Sequence, residues 1–90
     1  MGEVIALIRI MPDRILDDEG LYKIIEKVKK IVKPPAKLGK IDIKDIAFGL
    51  RAINVTVLVP DTEGGVDPIA ESFSKIENVE SAEVVDVGRI

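Results

Sequence analysis

Lys40-Ile41-Asp42-Ile43-Lys44-Asp45-Ile46, Ala47-Phe48-Gly49 and Arg51-Ala52-Ile53-Asn54-Val55-Thr56-Val57-Leu58-Val59 together decide the architecture of this 90-residue chain. The first segment alternates isoleucine with charge, so it predicts a strand with one wet face, at an edge or half-exposed in its sheet. The last places Ile53, Val55, Val57 and Val59 on one face and Ala52, Asn54, Thr56 and Leu58 on the other. That pattern is apolar enough on both faces for a central strand. A short turn at Ala47-Phe48-Gly49 joins the two as a hairpin.

Working outward, Glu3 to Met11 reads as another central strand, broken only by Arg9. The guanidinium must face the open side of the sheet or find a carboxylate. After Pro12, Asp17 and Asp18 are candidate helix caps. Leu21, Ile24, Ile25, Val28, Ile31 and Val32 then recur at spacings of three and four, which predicts a helix of about 14 residues with one apolar stripe. Pro34-Pro35 forbids its continuation. Beyond the hairpin, Pro60, Asp61 and Gly64-Gly65 make a loop, and Asp67 is the expected cap of a short helix with Pro68 at its first position. Ile69, Ala70, Phe73 and Ile76 face inward. Val79 to Val87, carrying Glu80, Glu83 and Asp86, predicts a charged edge strand.

The order β-α-β-β-α-β, with apolar first and third strands and charged second and fourth strands, fits an α+β, ferredoxin-like two-layer sandwich. Its four-stranded antiparallel sheet carries both helices on one face. Residues 1–90 are expected to form a single domain of this kind, since a second core would need roughly 50 residues more.

Composition excludes more than it proposes. With no Cys and no His there is no thiolate or imidazole metal site, no Ser-His-Asp triad and no cysteine nucleophile. No catalytic residue, metal ligand or cofactor site is therefore assigned, and a binding or regulatory module is favoured over covalent catalysis. The first apolar run, Val4 to Ile8, is far shorter than the roughly 18 residues of a membrane span, so a cytoplasmic protein is expected. Fourteen Ile, two Asn and no Gln or Trp suit a thermophile. Residues 1–60 hold eleven Lys and Arg against eight Asp and Glu, whereas residues 61–90 hold two against eight. The one dense basic cluster, Lys27, Lys29, Lys30, Lys33 and Lys37, reads as the solvated face of the first helix. With only Tyr22, Phe48 and Phe73 as aromatics, the chain lacks the stacking surface of an RNA-binding sheet, and no direct nucleic-acid contact is expected.

Several features remain as candidates for function. Gly64-Gly65-Val66-Asp67 before a helix has the outline of an anion cradle, but Asp61, Glu63 and Asp67 would repel a phosphate, so it reads as a turn and cap. Asp42 and Asp45 lie on opposite pleats and do not converge. Phe48 is the residue to single out. An aromatic in the turn between a charged strand and an apolar one either folds back as a lid or stands out as an interface anchor, and Gly49 beside it would admit a partner's backbone. Arg89-Ile90 follows the last strand immediately and either holds a cation at a fixed edge position or frays as a functionless tail.

The run Asp45-Ile46-Ala47-Phe48-Gly49-Leu50-Arg51-Ala52-Ile53, with Thr56-Val57-Leu58-Val59-Pro60-Asp61, Glu63-Gly64-Gly65, Ile76-Glu77-Asn78-Val79-Glu80-Ser81 and Val84-Val85-Asp86-Val87-Gly88-Arg89-Ile90, resembles the archaeal beta subunits of translation elongation factor one. The resemblance covers essentially the whole chain. It implies a ferredoxin-like exchange factor that promotes replacement of GDP by GTP on the aminoacyl-tRNA-delivering GTPase, elongation factor 1-alpha, bound in its GDP and nucleotide-free forms. It implies no covalent chemistry, no cofactor and no membrane partner. In eukaryotic relatives the aromatic of the Phe-Gly turn packs into the GTPase near its nucleotide pocket, a role that falls by motif on Phe48. A basic residue next to the C-terminus disturbs the magnesium site of the GTPase, a role that falls by position on Arg89. Those relatives end in lysine and leucine; Arg89 and Ile90 put a planar guanidinium in place of a point charge. The partner-binding set implied is Phe48, Gly49, Arg89 and Ile90.

The same element order also serves small-ligand regulatory domains that pair edge to edge, and a bound amino acid would favour that reading. An acyl-phosphate hydrolase would need a phosphate-binding Arg in a glycine-rich loop and a positioned Asn, which Arg14 and Asn54 match poorly.

Overall fold

The computed structural model describes residues 2–60 and 65–89. They form β1 (Glu3–Pro12), α1 (Asp18–Ile31), β2 (Lys37–Ala47), β3 (Leu50–Pro60), α2 (Asp67–Ser74) and β4 (Val79–Arg89). The sheet order is β2-β3-β1-β4 with every pairing antiparallel, so the two apolar strands are central and the two charged strands are edges. This is the ferredoxin-like α+β arrangement that the strand chemistry predicts.

Both helices cover one face of the sheet. Leu21, Ile24 and Val28 of α1 and Ala70 and Phe73 of α2 pack on Ala6, Ile8 and Ile10 of β1 and on Ile53, Val55 and Val57 of β3. A change of one residue in register would carry these central side chains to the open face, so the core itself fixes the pairing. Arg9 lies on that open face, opposite Asn54 and Glu83, and is exposed. Water solvates its charge, and no ion pair holds it among the described residues.

One local detail settles an alternative that the sequence left open, and two differ from the pattern reading. Asp17 caps α1, accepting a 2.8 Å hydrogen bond from the Gly20 amide, which leaves Asp18 for another use. The N-cap position of α2 is held by Val66 instead of Asp67, with no side-chain capping hydrogen bond, and the Val66 side chain is buried in the core. Asp67 begins the helix, where its charge suits the positive end of the dipole. Finally, β4 continues through Arg89. Its register shifts where Leu7 pairs with Asp86 and Ile8 with Val84, so Val85 is an extra residue that puts Glu83 and Asp86 on one face. Asp61, Glu63 and Gly64 of the expected acidic loop, and Ile90, lie outside the described residues.

Candidate functional site

The turn between β2 and β3 is tighter than its sequence suggests. Ala47 pairs with Leu50, leaving a two-residue loop in which Phe48 has φ 51° and Gly49 has φ 84°. Positive φ at both central positions is the primed type I turn that matches the twist of a hairpin, and it favours Asn or Asp followed by Gly. Gly49 is thus required by the turn itself. A Cβ there would meet only the Ile15 side chain, Cδ1 at 3.7 Å and Cγ2 at 3.8 Å, so backbone conformation and not crowding selects glycine. Phe48 has no such freedom: a left-handed backbone costs a bulky residue on the order of 1–2 kcal/mol.

That strained phenylalanine is also unburied. Phe48 is 98% exposed, so it does not fold back as a lid. Ile46 beside it in sequence and Ile15, from the loop between β1 and α1, are exposed as well. Phe48 and Ile15 line an open cleft of about 570 Å³ together with Met11, Pro12 and Leu50 and with Glu80 and Ser81 of β4. At its rim the Arg14 Nε donates a 2.8 Å hydrogen bond to Asp13 Oδ1, which raises the guanidinium pKa further.

Arg51, two residues beyond the turn, ties this end together. Its Nη1 donates to Asp18 Oδ1 at 2.8 Å and its Nη2 donates to the Leu16 carbonyl oxygen at 2.9 Å. The sequence reading assigned Arg51 nothing. The signals were a lone cation beside the turn and an Asp17-Asp18 pair where capping uses only one carboxylate.

Arg89 sits at the other end of the sheet. It is exposed at the end of β4, opposite Val4, which in turn pairs with Val59. From Leu50 at the turn to Val59 is nine steps along β3, about 30 Å at strand rise, in a molecule whose longest extent is 42 Å. The fold therefore keeps Phe48 and Gly49 together and holds Arg89 away from them. The lysine cluster stays away from the hairpin turn: Lys29 and Lys30 are exposed on the last turn of α1, whereas Lys33 lines a pocket with Val59 and Pro60 and Lys37 pairs with Leu58, at the Arg89 end of the sheet. The groove between α1 and the turn after α2 mixes Lys23 and Lys27 with Glu26 and Glu77. No three carboxylates gather as a metal site among the described residues. No described helix is long and apolar enough to cross a membrane.

Residues 5–90 match the family described as the EF-1 guanine nucleotide exchange domain. The chain belongs to that family. It is 47% identical over 91 residues to elongation factor 1-beta of Methanosarcina barkeri, covering the whole of both chains. It is 44% identical to elongation factor 1-beta of Methanocella arvoryzae, over 99% of this chain and 98% of that one. With the Methanothermobacter thermautotrophicus protein of the same name the identity is 42%, over 100% and 99%. Membership of the EF-1 exchange family supports a role in guanine-nucleotide exchange during translation elongation, carried on a fold whose exposed apolar end and basic end stand about 30 Å apart.

Proposed function

We propose that residues 1–90 act as one exchange domain that binds elongation factor 1-alpha in the cytoplasm and speeds replacement of its GDP by GTP. The observation that carries this reading is Phe48. In a chain of the EF-1 exchange family, a phenylalanine held at positive φ and 98% exposed is costly in isolation and useful only against a partner. Burying it contributes about 1.5–3 kcal/mol to docking. Gly49 shapes the turn that presents it, and Arg89 with Ile90 forms the second contact. Because the two contacts are about 30 Å apart, one docks the GTPase while the other acts near the ion that bridges its nucleotide phosphates. Arg89 has the charge for the latter role, and Phe48 has the apolar area for the former.

Exchange needs no bond making. A protein that binds the nucleotide-free GTPase more tightly than the nucleotide-bound form weakens nucleotide affinity by the same factor. A cation brought towards the phosphate-bound metal supplies such a differential contact, since the metal neutralises phosphate charge only while its coordination is intact. Excess GTP then sets the direction.

The test is release of a fluorescent GDP analogue from an archaeal elongation factor 1-alpha, with this protein substoichiometric and GTP in excess. Accelerated multiple-turnover release is expected. Spontaneous-rate release from a competent GTPase would contradict the proposal and favour a small-ligand regulatory domain.

A further inference from the structure

The hairpin end carries a second exposed apolar residue that the exchange motif does not include. Ile15 is 65% exposed and lies beside the turn, its Cδ1 3.7 Å from where a Gly49 Cβ would stand. Ile15 and Phe48 come from distant parts of the chain, and Arg51 joins those parts: one nitrogen holds the Leu16 carbonyl next to Ile15, the other holds Asp18 at the start of α1. Here Arg51 leaves Ile15 exposed beside a phenylalanine that is also exposed, and both line a mainly apolar cleft of about 570 Å³.

Resting on the exchange-factor reading, we infer that Ile15 is a second docking residue for the GTPase and that Arg51 is a positioning residue that sets Ile15 against Phe48. The occupant of the cleft is an apolar segment of the same GTPase that receives Phe48, because the cleft is continuous with that side chain. Arg51 suits the task because its planar fork fixes the directions of two hydrogen bonds, to Asp18 and to the Leu16 carbonyl, whereas a lysine ammonium donates from a single point on a flexible stem. The cleft is a docking feature, so its loss acts on affinity and leaves the maximal exchange rate in place.

The experiment measures GDP-analogue release against exchange-factor concentration for the full chain and for Phe48→Ala, Ile15→Ser, Arg51→Ala and Arg51→Lys, with thermal unfolding of each. Ile15→Ser and Arg51→Ala are expected to raise the half-saturating concentration about three- to tenfold at unchanged maximal rate, as for peripheral members of a hot spot. Arg51→Lys falls between wild type and Arg51→Ala. In a Phe48→Ala/Ile15→Ser background, adding Arg51→Ala changes the half-saturating concentration by less than about twofold, because its effect runs through those two side chains. A full Arg51→Ala effect in that background would overturn the inference. So would wild-type behaviour of Ile15→Ser and Arg51→Ala alongside an impaired Phe48→Ala, which leaves the exchange reading standing. If Phe48→Ala also behaves as wild type, the docking role of the hairpin and this inference fall together.

Discussion

At one end of the sheet Phe48 stands on a strained two-residue turn, surrounded by exposed isoleucine and backed by the Arg51 clamp. At the other, Arg89 stands on regular strand backbone at the end of β4, a single cation on an edge strand that otherwise carries Glu80, Glu83 and Asp86. The first end invests backbone strain and apolar exposure, which only contact with another surface recovers. The second offers charge, whose effect depends on what field it meets and is weakened by salt. On the proposed reading the first end docks and the second acts through its charge, so the two can be altered separately.

The largest effect is expected for Phe48→Ala. Losing about 1.5–3 kcal/mol of apolar burial corresponds to a rise of more than about tenfold in the half-saturating concentration for GDP release, at unchanged maximal rate. Arg89→Ala should do the reverse, lowering the maximal rate about tenfold, or about 1.4 kcal/mol of barrier, with little change in half-saturation. Concentration series under excess GTP separate the two; matching profiles would dissolve the distinction between the ends.

Phe48→Asn sharpens the comparison from the stability side. Asn is at home at positive φ in a primed turn, so relief of the strain should stabilise the fold by about 1 kcal/mol and raise Tm by about 4–8 °C, while docking is lost. A lower Tm would mean that the phenylalanine is not strained. The smallest effect concerns ionic strength. Raising salt from roughly 0.05 to 0.5 M should shrink the rate ratio of wild type to Arg89→Ala by about twofold and leave the ratio to Phe48→Ala in place.

Sequence patterns reached most of the fold and only part of this contrast. The alternation of Ile41 to Ile46 with charge and the two-sided apolarity of Val55 to Val59 are local records of edge and central positions, so strand order followed from them. Val66 and Val85 were missed because each is set by packing and pairing at long range: one is drawn into the core at a helix start, the other is squeezed out of register against Leu7 and Ile8. Phe48 could be singled out by its place in a turn. Its exposure and positive φ could not, since both follow from the pairing of Ala47 with Leu50. Arg51 and Ile15 were illegible for the same reason, their partners lying far away in sequence. The separation of Phe48 from Arg89 likewise needed the register of β3, β1 and β4 together.

The most direct test of a two-ended exchange element is a double-mutant cycle of Phe48→Ala and Arg89→Ala on GDP release from elongation factor 1-alpha, measured below saturation. Sites about 30 Å apart are predicted to add within about 0.5 kcal/mol, bringing the double variant close to spontaneous release. A folded double variant that releases GDP as fast as the wild type would contradict the account.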